Sequence, residues 1–202
     1  MATIVLGVCG SIAAYKAAGV ASRLVKQGHT VHCVCTPAAL QFVTPLTLMT
    51  LSRNPVICTF EDETTSWVPV HIELAQKADV LAIVPASANT MACMAHGMAP
   101  NALTSLYLAY RGPVLIFPAM NGDMWEHPAT QENARILENR GCRIIGPEAC
   151  GMLACGTEGK GRLVDEDTIV REILESLAPQ QEAQYCLLYT SPSPRDKRQS
   201  RM

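Results

Sequence analysis

Five segments of the chain carry side chains or glycines whose types and spacing could do chemistry. Gly7-Val8-Cys9-Gly10-Ser11-Ile12-Ala13 offers backbone amides and one hydroxyl, a set suited to an anion where a helix begins. It lacks Gly-x-Gly-x-x-Gly spacing, and a connecting turn with Ser11 as helix cap fits it equally well. Pro85-Ala86-Ser87-Ala88-Asn89-Thr90 gathers three small polar side chains. It is either a capping turn or the second wall of a crevice that holds a phosphate and a ring. Pro118-Ala119-Met120-Asn121-Gly122-Asp123-Met124-Trp125 contributes an amide, Asn121, that can donate to a carboxylate without adding charge. Met120, Met124 and Trp125 equally suit a packed structural loop.

Two further segments carry acid–base and thiol chemistry. His71 follows Trp67-Val68-Pro69-Val70 and opens a helical stretch, where the cationic imidazole is disfavoured. That suits a base near neutral pH, and a structural histidine suits the position too. Residues 151–162 set four glycines around Cys155 and end in Lys160, Gly161 and Arg162. This is the composition of a flap that closes over a ligand, or of a solvated loop. Cys150 and Cys155 lack metal-ligand spacing and a partner set, so no metal is expected.

The elements that must position these groups follow from periodicity. Short apolar runs at residues 3–8, 29–35, 80–84 and 114–117 are expected as buried parallel strands. Helical spacing is expected over residues 11–27, 72–77, 88–96, 101–110, 130–139 and 166–177. Strand and helix alternate, which predicts a single α/β domain with a doubly wound parallel sheet. Such sheets bind ligands beyond the carboxyl ends of their strands, where several of the motifs fall.

Bulk properties narrow the function classes. The 202 residues are 49% hydrophobic and 17% charged, enough for one sizeable core. A formal charge of −2 leaves no basic excess for a nucleic-acid backbone. Apolar stretches end before the roughly 18 to 20 residues a bilayer needs, so no membrane span is expected. The N-terminus has no secretory pattern, and nine scattered cysteines read as reduced thiols, which predicts a cytoplasmic protein. From residue 179 onward, Gln, Ser, Pro and basic residues dominate without an apolar face. Residues 179–202 are therefore expected as a disordered tail after a domain at residues 1–178, and residues 186–202 have the character of appended, non-native sequence.

Gly10-Ser11-Ile12-Ala13-Ala14-Tyr15-Lys16, His71-Ile72-Glu73-Leu74, residues 85–90, residues 118–125 with Pro128 and Asn133, and Ala154-Cys155-Gly156 share an order and spacing with a known group. Over residues 3–177 the chain resembles the homo-oligomeric flavin-containing cysteine decarboxylases, and within them the coenzyme A branch. The resemblance implies FMN held by Gly10, Ser11, Ile12, Thr36, Ser87, Ala88, Asn89, Thr90 and Ala119. It implies His71 as catalytic base, Asn121 with Met124 at the substrate carboxylate, and Cys155 as a flap thiol used late. It further implies a trimer or dodecamer with the flavin near a subunit boundary. Pro100 stands where members commonly carry an acidic or amide residue.

The implied reaction is decarboxylation of 4'-phosphopantothenoylcysteine to 4'-phosphopantetheine in coenzyme A biosynthesis. A carboxylate beside an amide nitrogen has no electron sink, and two-electron transfer to FMN would create one at the carbon bearing sulfur. The Ala-Cys-Gly flap separates this branch from peptidyl-cysteine decarboxylases, which release an enethiol. A flavin-binding regulatory subunit without turnover is the alternative from another class, and its mark would be loss of His71 or Cys155. A flavin prenyltransferase has a related fold but lacks the Asn121 motif and the cysteine flap. Many bacterial relatives continue into a ligase domain, which this sequence does not contain.

Overall fold

A computed structural model describes residues 1–59, 68–148 and 159–177. Cys155 and the tail at residues 179–202 lie outside the described residues. The first half runs β1 (Thr3–Val8), a 3-10 turn (Ile12–Ala14), α1 (Tyr15–Lys26), β2 (Thr30–Cys35), α2 (Pro45–Ser52) and α3 (Val70–Lys77). Then come β3 (Val80–Ala86), α4 (Ala88–His96), α5 (Ala102–Ala109), β4 (Val114–Pro118), α6 (Gly122–Glu126), α7 (Pro128–Asn139), β5 (Arg143–Ile144) and α8 (Glu166–Leu177).

The five strands form one parallel sheet in the order β2-β1-β3-β4-β5. The chain steps outward one way from β1 to β2 and the other way from β3 to β5. The ends of β1 and β3 therefore flank a switch point, where loops diverge and leave a crevice.

Alternation along the strands divides the core in two. Ile4, Leu6 and Val8 of β1 join Cys33 of β2, Ala82 and Val84 of β3 and Phe117 of β4 beneath α1 and α8. Val5, Leu81, Ile83 and Ile116 face the opposite layer, built by α3, α4, α5 and α7. Residues such as Leu81, Ile83 and Phe117 are wholly buried, each stabilising the fold by on the order of 2 kcal/mol. A side chain at Gly7 would collide with Leu103 and Ile83, so the glycine lets α5 approach the sheet.

The sequence-expected strands and long helices are all present, with shifted ends. The third strand continues through Pro85 to Ala86, past the proline expected to stop it. Proline removes only a donor, and the Pro85 carbonyl still accepts the Cys9 N–H at 3.2 Å. The expected helix at residues 11–27 begins as the 3-10 turn, with Ser11 as its cap. Helix α2 was not expected because Leu46, Leu48, Met49 and Leu51 crowd its eight residues without a helical stripe.

Candidate active site

Each strand that ends at the switch point is followed by a turn capped by a neutral polar side chain. After β1, the Ser11 hydroxyl oxygen accepts the Ala13 N–H at 3.3 Å. After β3, Ser87 Oγ accepts the Thr90 N–H at 3.3 Å and donates to Thr90 Oγ1 at 3.2 Å. After β4, Asn121 Oδ1 accepts the Asp123 N–H at 2.9 Å at the start of α6. The strand ends are also laced together: Thr36 donates its N–H to Val8 at 2.9 Å, and Ala119 to Ala86 at 3.0 Å.

These turns enclose one open cavity of about 1130 Å³. Of the residues expected to act together, Gly10, Ser11, Ile12, Thr36, Ser87, Ala88, Asn89, Thr90, Ala119, Asn121 and Met124 line it. Capping and cavity-lining are thus functions of the same residues, so the two sequence-level readings of these turns are compatible. A Cβ on Gly10 would lie 2.6 Å from the Ala38 Cβ, so glycine keeps the first turn flush with the loop after β2. Beneath the cavity, burial pushes the Cys9 thiol up to about 11, against the opposing hydrogen bonds of Thr90 and Ser87.

His71 does not line this cavity. It lies half-buried in the first turn of α3, which packs against α5. The motif type was legible, but its absence from the cavity wall was not. Sequence reasoning gave no pocket role to Lys16, Tyr15, Pro100 and Asn101, which also line it, as does Arg162 from the end of the expected flap. Lys16 sits five residues beyond Ser11 at the start of α1, a spacing that could have signalled it. Lys16 and Arg162 are the charged lining residues, and no carboxylate accompanies them among the described residues.

The cavity's far wall is fixed by the chain that follows residues 149–158. Glu148 and Arg162 pair as an antiparallel bridge, the Glu148 N–H donating to Arg162 at 2.9 Å. Their side chains form an ion pair at 3.5 Å. Gly161 accepts the Met120 N–H at 2.9 Å, beside Asn121. No cluster of three or more His, Cys, Asp or Glu side chains that could hold a metal occurs among the described residues. No helix among the described residues is long and apolar enough to cross a membrane.

The model of the family described as Flavoprotein matches residues 1–178. The chain belongs to the Flavoprotein family. A Probable phosphopantothenoylcysteine decarboxylase of Streptococcus mutans is 47% identical over 176 residues, covering 86% of this chain and 98% of that protein. A longer relative, the Coenzyme A biosynthesis bifunctional protein of Vibrio cholerae, is 44% identical, and this chain spans 44% of its length. A solved mutant PPC decarboxylase complexed with pantothenoylaminoethenethiol superposes with a TM-score of 0.78 at 32% identity, covering 86% of this chain and 97% of that one. An FMN-dependent cysteine decarboxylase gives 0.76 at 30% identity, covering 88% and 98%. The two solved structures share this chain's fold over most of its length.

Proposed function

We propose that the chain is an FMN-dependent carboxy-lyase that converts 4'-phosphopantothenoylcysteine to 4'-phosphopantetheine in coenzyme A biosynthesis, acting in the cytoplasm. The observation that carries the reading is that three segments shared with cysteine decarboxylases, around residues 11, 88 and 121, line one cavity. The Streptococcus mutans relative, matched over nearly its whole length, supports the substrate.

The residues present fit the cofactor. Thr36 is 5% exposed, lines the cavity, and its hydroxyl has no hydrogen-bond partner among the described residues. A buried hydroxyl without a partner is costly unless a ligand satisfies it. Gly10, Ser11, Ile12, Thr36, Ser87, Ala88, Asn89, Thr90 and Ala119 would hold FMN, their small side chains leaving room for a flat ring. Bound FMN supplies reversible two-electron transfer, giving the substrate the electron sink that a carboxylate beside an amide nitrogen lacks.

The chain's own residues then bind, orient and move protons. Asn121 holds the substrate carboxylate through its amide N–H groups, because its Oδ1 is committed to Asp123. A neutral donor steadies the carboxylate without the strong charge pairing that would resist its loss as carbon dioxide. Met124, half exposed at the cavity, covers that end of the substrate. His71 takes the proton from the substrate thiol, and Cys155 donates one to the carbon that has lost its carboxylate. The cycle is redox-neutral: a carbon–carbon bond is replaced by a carbon–hydrogen bond.

His71 serves the cavity of a neighbouring copy in a homo-oligomer. Two observations support this: His71 does not line the cavity of its own chain, and the apolar side chains of Ile12 and Tyr15 stand about 60% exposed at its mouth. Exposed apolar groups at such a rim favour a subunit boundary.

The test is to purify the full chain, record its flavin spectrum, and follow product mass from 4'-phosphopantothenoylcysteine. Loss of one carbon dioxide without net oxidation is expected. A product two hydrogens poorer would favour a peptidyl-cysteine-type reaction that stops at the enethiol. A colourless protein that leaves the substrate unchanged despite added FMN would overturn the proposal.

A further inference from the structure

The connection between α4 and α5 brings to the cavity a polar side chain that the proposed reaction does not use. Pro100 and Asn101 line the cavity from this connection, and Asn101 is half-buried there. Asn101 also caps α5 through a reciprocal pair of bonds with Thr104. Its Oδ1 accepts the Thr104 N–H at 3.1 Å, and its own N–H donates to Thr104 Oγ1 at 3.3 Å. The Thr104 hydroxyl in turn donates to the Asn101 carbonyl at 3.0 Å.

These bonds fix which way the amide faces. Only the oxygen of an amide can accept a backbone N–H, so Oδ1 is turned to α5 and Nδ2 away from it. Nδ2 donates to nothing among the described residues. The support is rigid: Thr104 is wholly buried, and Leu103 beside it packs with Ile83 over Gly7. A donor held in this way at a cavity wall has little freedom left to lose when it meets an acceptor. Pro100 has no N–H and that of Asn101 is taken, so these two lining residues offer a ligand no backbone donor. A phosphate dianion needs several donors or a cation, and the substrate carboxylate is assigned to Asn121. The acceptors that remain for one neutral amide are carbonyl oxygens.

We infer that Asn101 holds a ligand carbonyl through Nδ2 while its Oδ1 caps α5. The inference rests on the decarboxylase reading only for the candidate ligands: FMN carries carbonyls on its ring, and 4'-phosphopantothenoylcysteine carries them in its amides. Asn101 thereby orients one of the two against the α5 end of the cavity.

The full-length protein is compared with its Asn101→Ser and Asn101→Asp variants, both of which keep an oxygen for the Thr104 N–H. Flavin fluorescence of the stripped proteins gives Kd for FMN. Product formation at saturating FMN gives KM and kcat for 4'-phosphopantothenoylcysteine, and thermal melting reports on the cap. Loss of one neutral hydrogen bond in Asn101→Ser is expected to raise either Kd for FMN or KM for the substrate by about threefold to tenfold. Asn101→Asp sets an anion against the carbonyl and should raise the same constant further, while both variants melt close to wild type. A change confined to Kd assigns the carbonyl to the cofactor, and one confined to KM assigns it to the substrate. If both constants stay within about twofold of wild type in both variants, Asn101 is a helix cap alone and the inference fails. It fails equally if the two constants rise together, or if the loss follows a fall in melting temperature, because the change then disturbs the wall and not one contact. A wild-type protein that does not turn over the substrate would overturn the decarboxylase reading instead, and Kd for FMN alone would then decide the role of Asn101.

Discussion

The amide of Met120 donates to the carbonyl of Gly161 at 2.9 Å, which ties the chain leaving residues 149–158 to the loop that carries Asn121. Gly161 is buried with φ +147°, and a Cβ there would press on the Met120 carbonyl oxygen and reach 3.2 Å from the Asn121 carbonyl carbon. Alanine therefore meets both backbone strain and a collision. Gly161→Ala is expected to destabilise the protein by about 1–3 kcal/mol while leaving it folded. Its larger effect should be on turnover, because the displaced atoms belong to Met120 and Asn121. A shift of about 1 Å in a positioned group can cost a hundredfold. Flavin absorbance per chain should stay near wild type while decarboxylation falls at least tenfold. Wild-type turnover in this variant would show that the contact positions nothing.

Asn121→Asp tests the carboxylate role by charge with little change of shape. Its side chain would still cap α6, since an aspartate oxygen can accept the Asp123 N–H as Asn121 does at 2.9 Å. What changes is a donor replaced by an anion facing the substrate carboxylate. Flavin retention and the melting temperature are expected to hold, while kcat/KM for 4'-phosphopantothenoylcysteine falls by about a hundredfold or more. Equal loss of bound flavin would mean that Asn121 serves the cofactor instead.

How far the site could be read in advance depends on what each residue does locally. Ser11, Ser87 and Asn121 were legible because each also caps a helix or turn, and capping follows from residue type and the apolar run beyond it. Lys16 was not singled out, for it lies inside α1 and only the path of the helix brings it to the cavity. Arg162 depends on pairing with Glu148, fourteen positions away, which no local pattern encodes. His71 shows the opposite case: its chemistry is legible, but nothing in its local pattern tells that it does not line the cavity of its own chain. Four strands were visible as apolar runs, but β5 has only two residues and no period.

If His71 works in a neighbour's cavity, two inactive variants should repair one another. In a mixture of His71→Asn and Asn121→Ala chains, some boundaries pair the intact histidine of one chain with the intact asparagine of the other. Random assembly predicts recovery of about a quarter of the sites. The two proteins should be unfolded together, refolded with FMN, and assayed against each refolded alone. No recovery from a mixture shown by mass to contain hybrid oligomers would place His71 in the same chain as the Asn121 it serves.

The buried thiols just past β1 and within β2 should be chemically silent. Burial pushes Cys33 up to about 12 and raises Cys35 further, with Cys58 close enough to add to both shifts. Cys9 is raised to about 11. At pH 7.5 each holds a minute thiolate fraction, and the thiolate is the form that reacts. Iodoacetamide is expected to leave the peptides containing Cys9, Cys33 and Cys35 unmodified in the native protein and to label them in guanidinium. Native labelling as rapid as in guanidinium would contradict the packing of both strands.

Acid should weaken the brace that holds α1. Helix α8 buries Ile169 and Ile173 against the sheet, and its first turn bears Glu166 and Asp167, which pair with Arg23 of α1. Just before it, the Asp165 carboxylate accepts the Thr168 N–H at 2.6 Å and its hydroxyl at 3.1 Å. Those bonds, the backbone one foremost, hold Asp165 below its ordinary value. A group lowered on folding stabilises the native state above its unfolded pKa of about 3.9, and that contribution disappears as pH falls through the folded value. Asp165→Ala is therefore expected to cost about 1 kcal/mol at pH 7 as a lost cap, with the gap to wild type narrowing below about pH 4. Urea midpoints for both proteins at pH 7 and pH 3.5 measure it. A gap that stays constant or widens on acidification would mean that the ionised carboxylate is not what holds the start of α8.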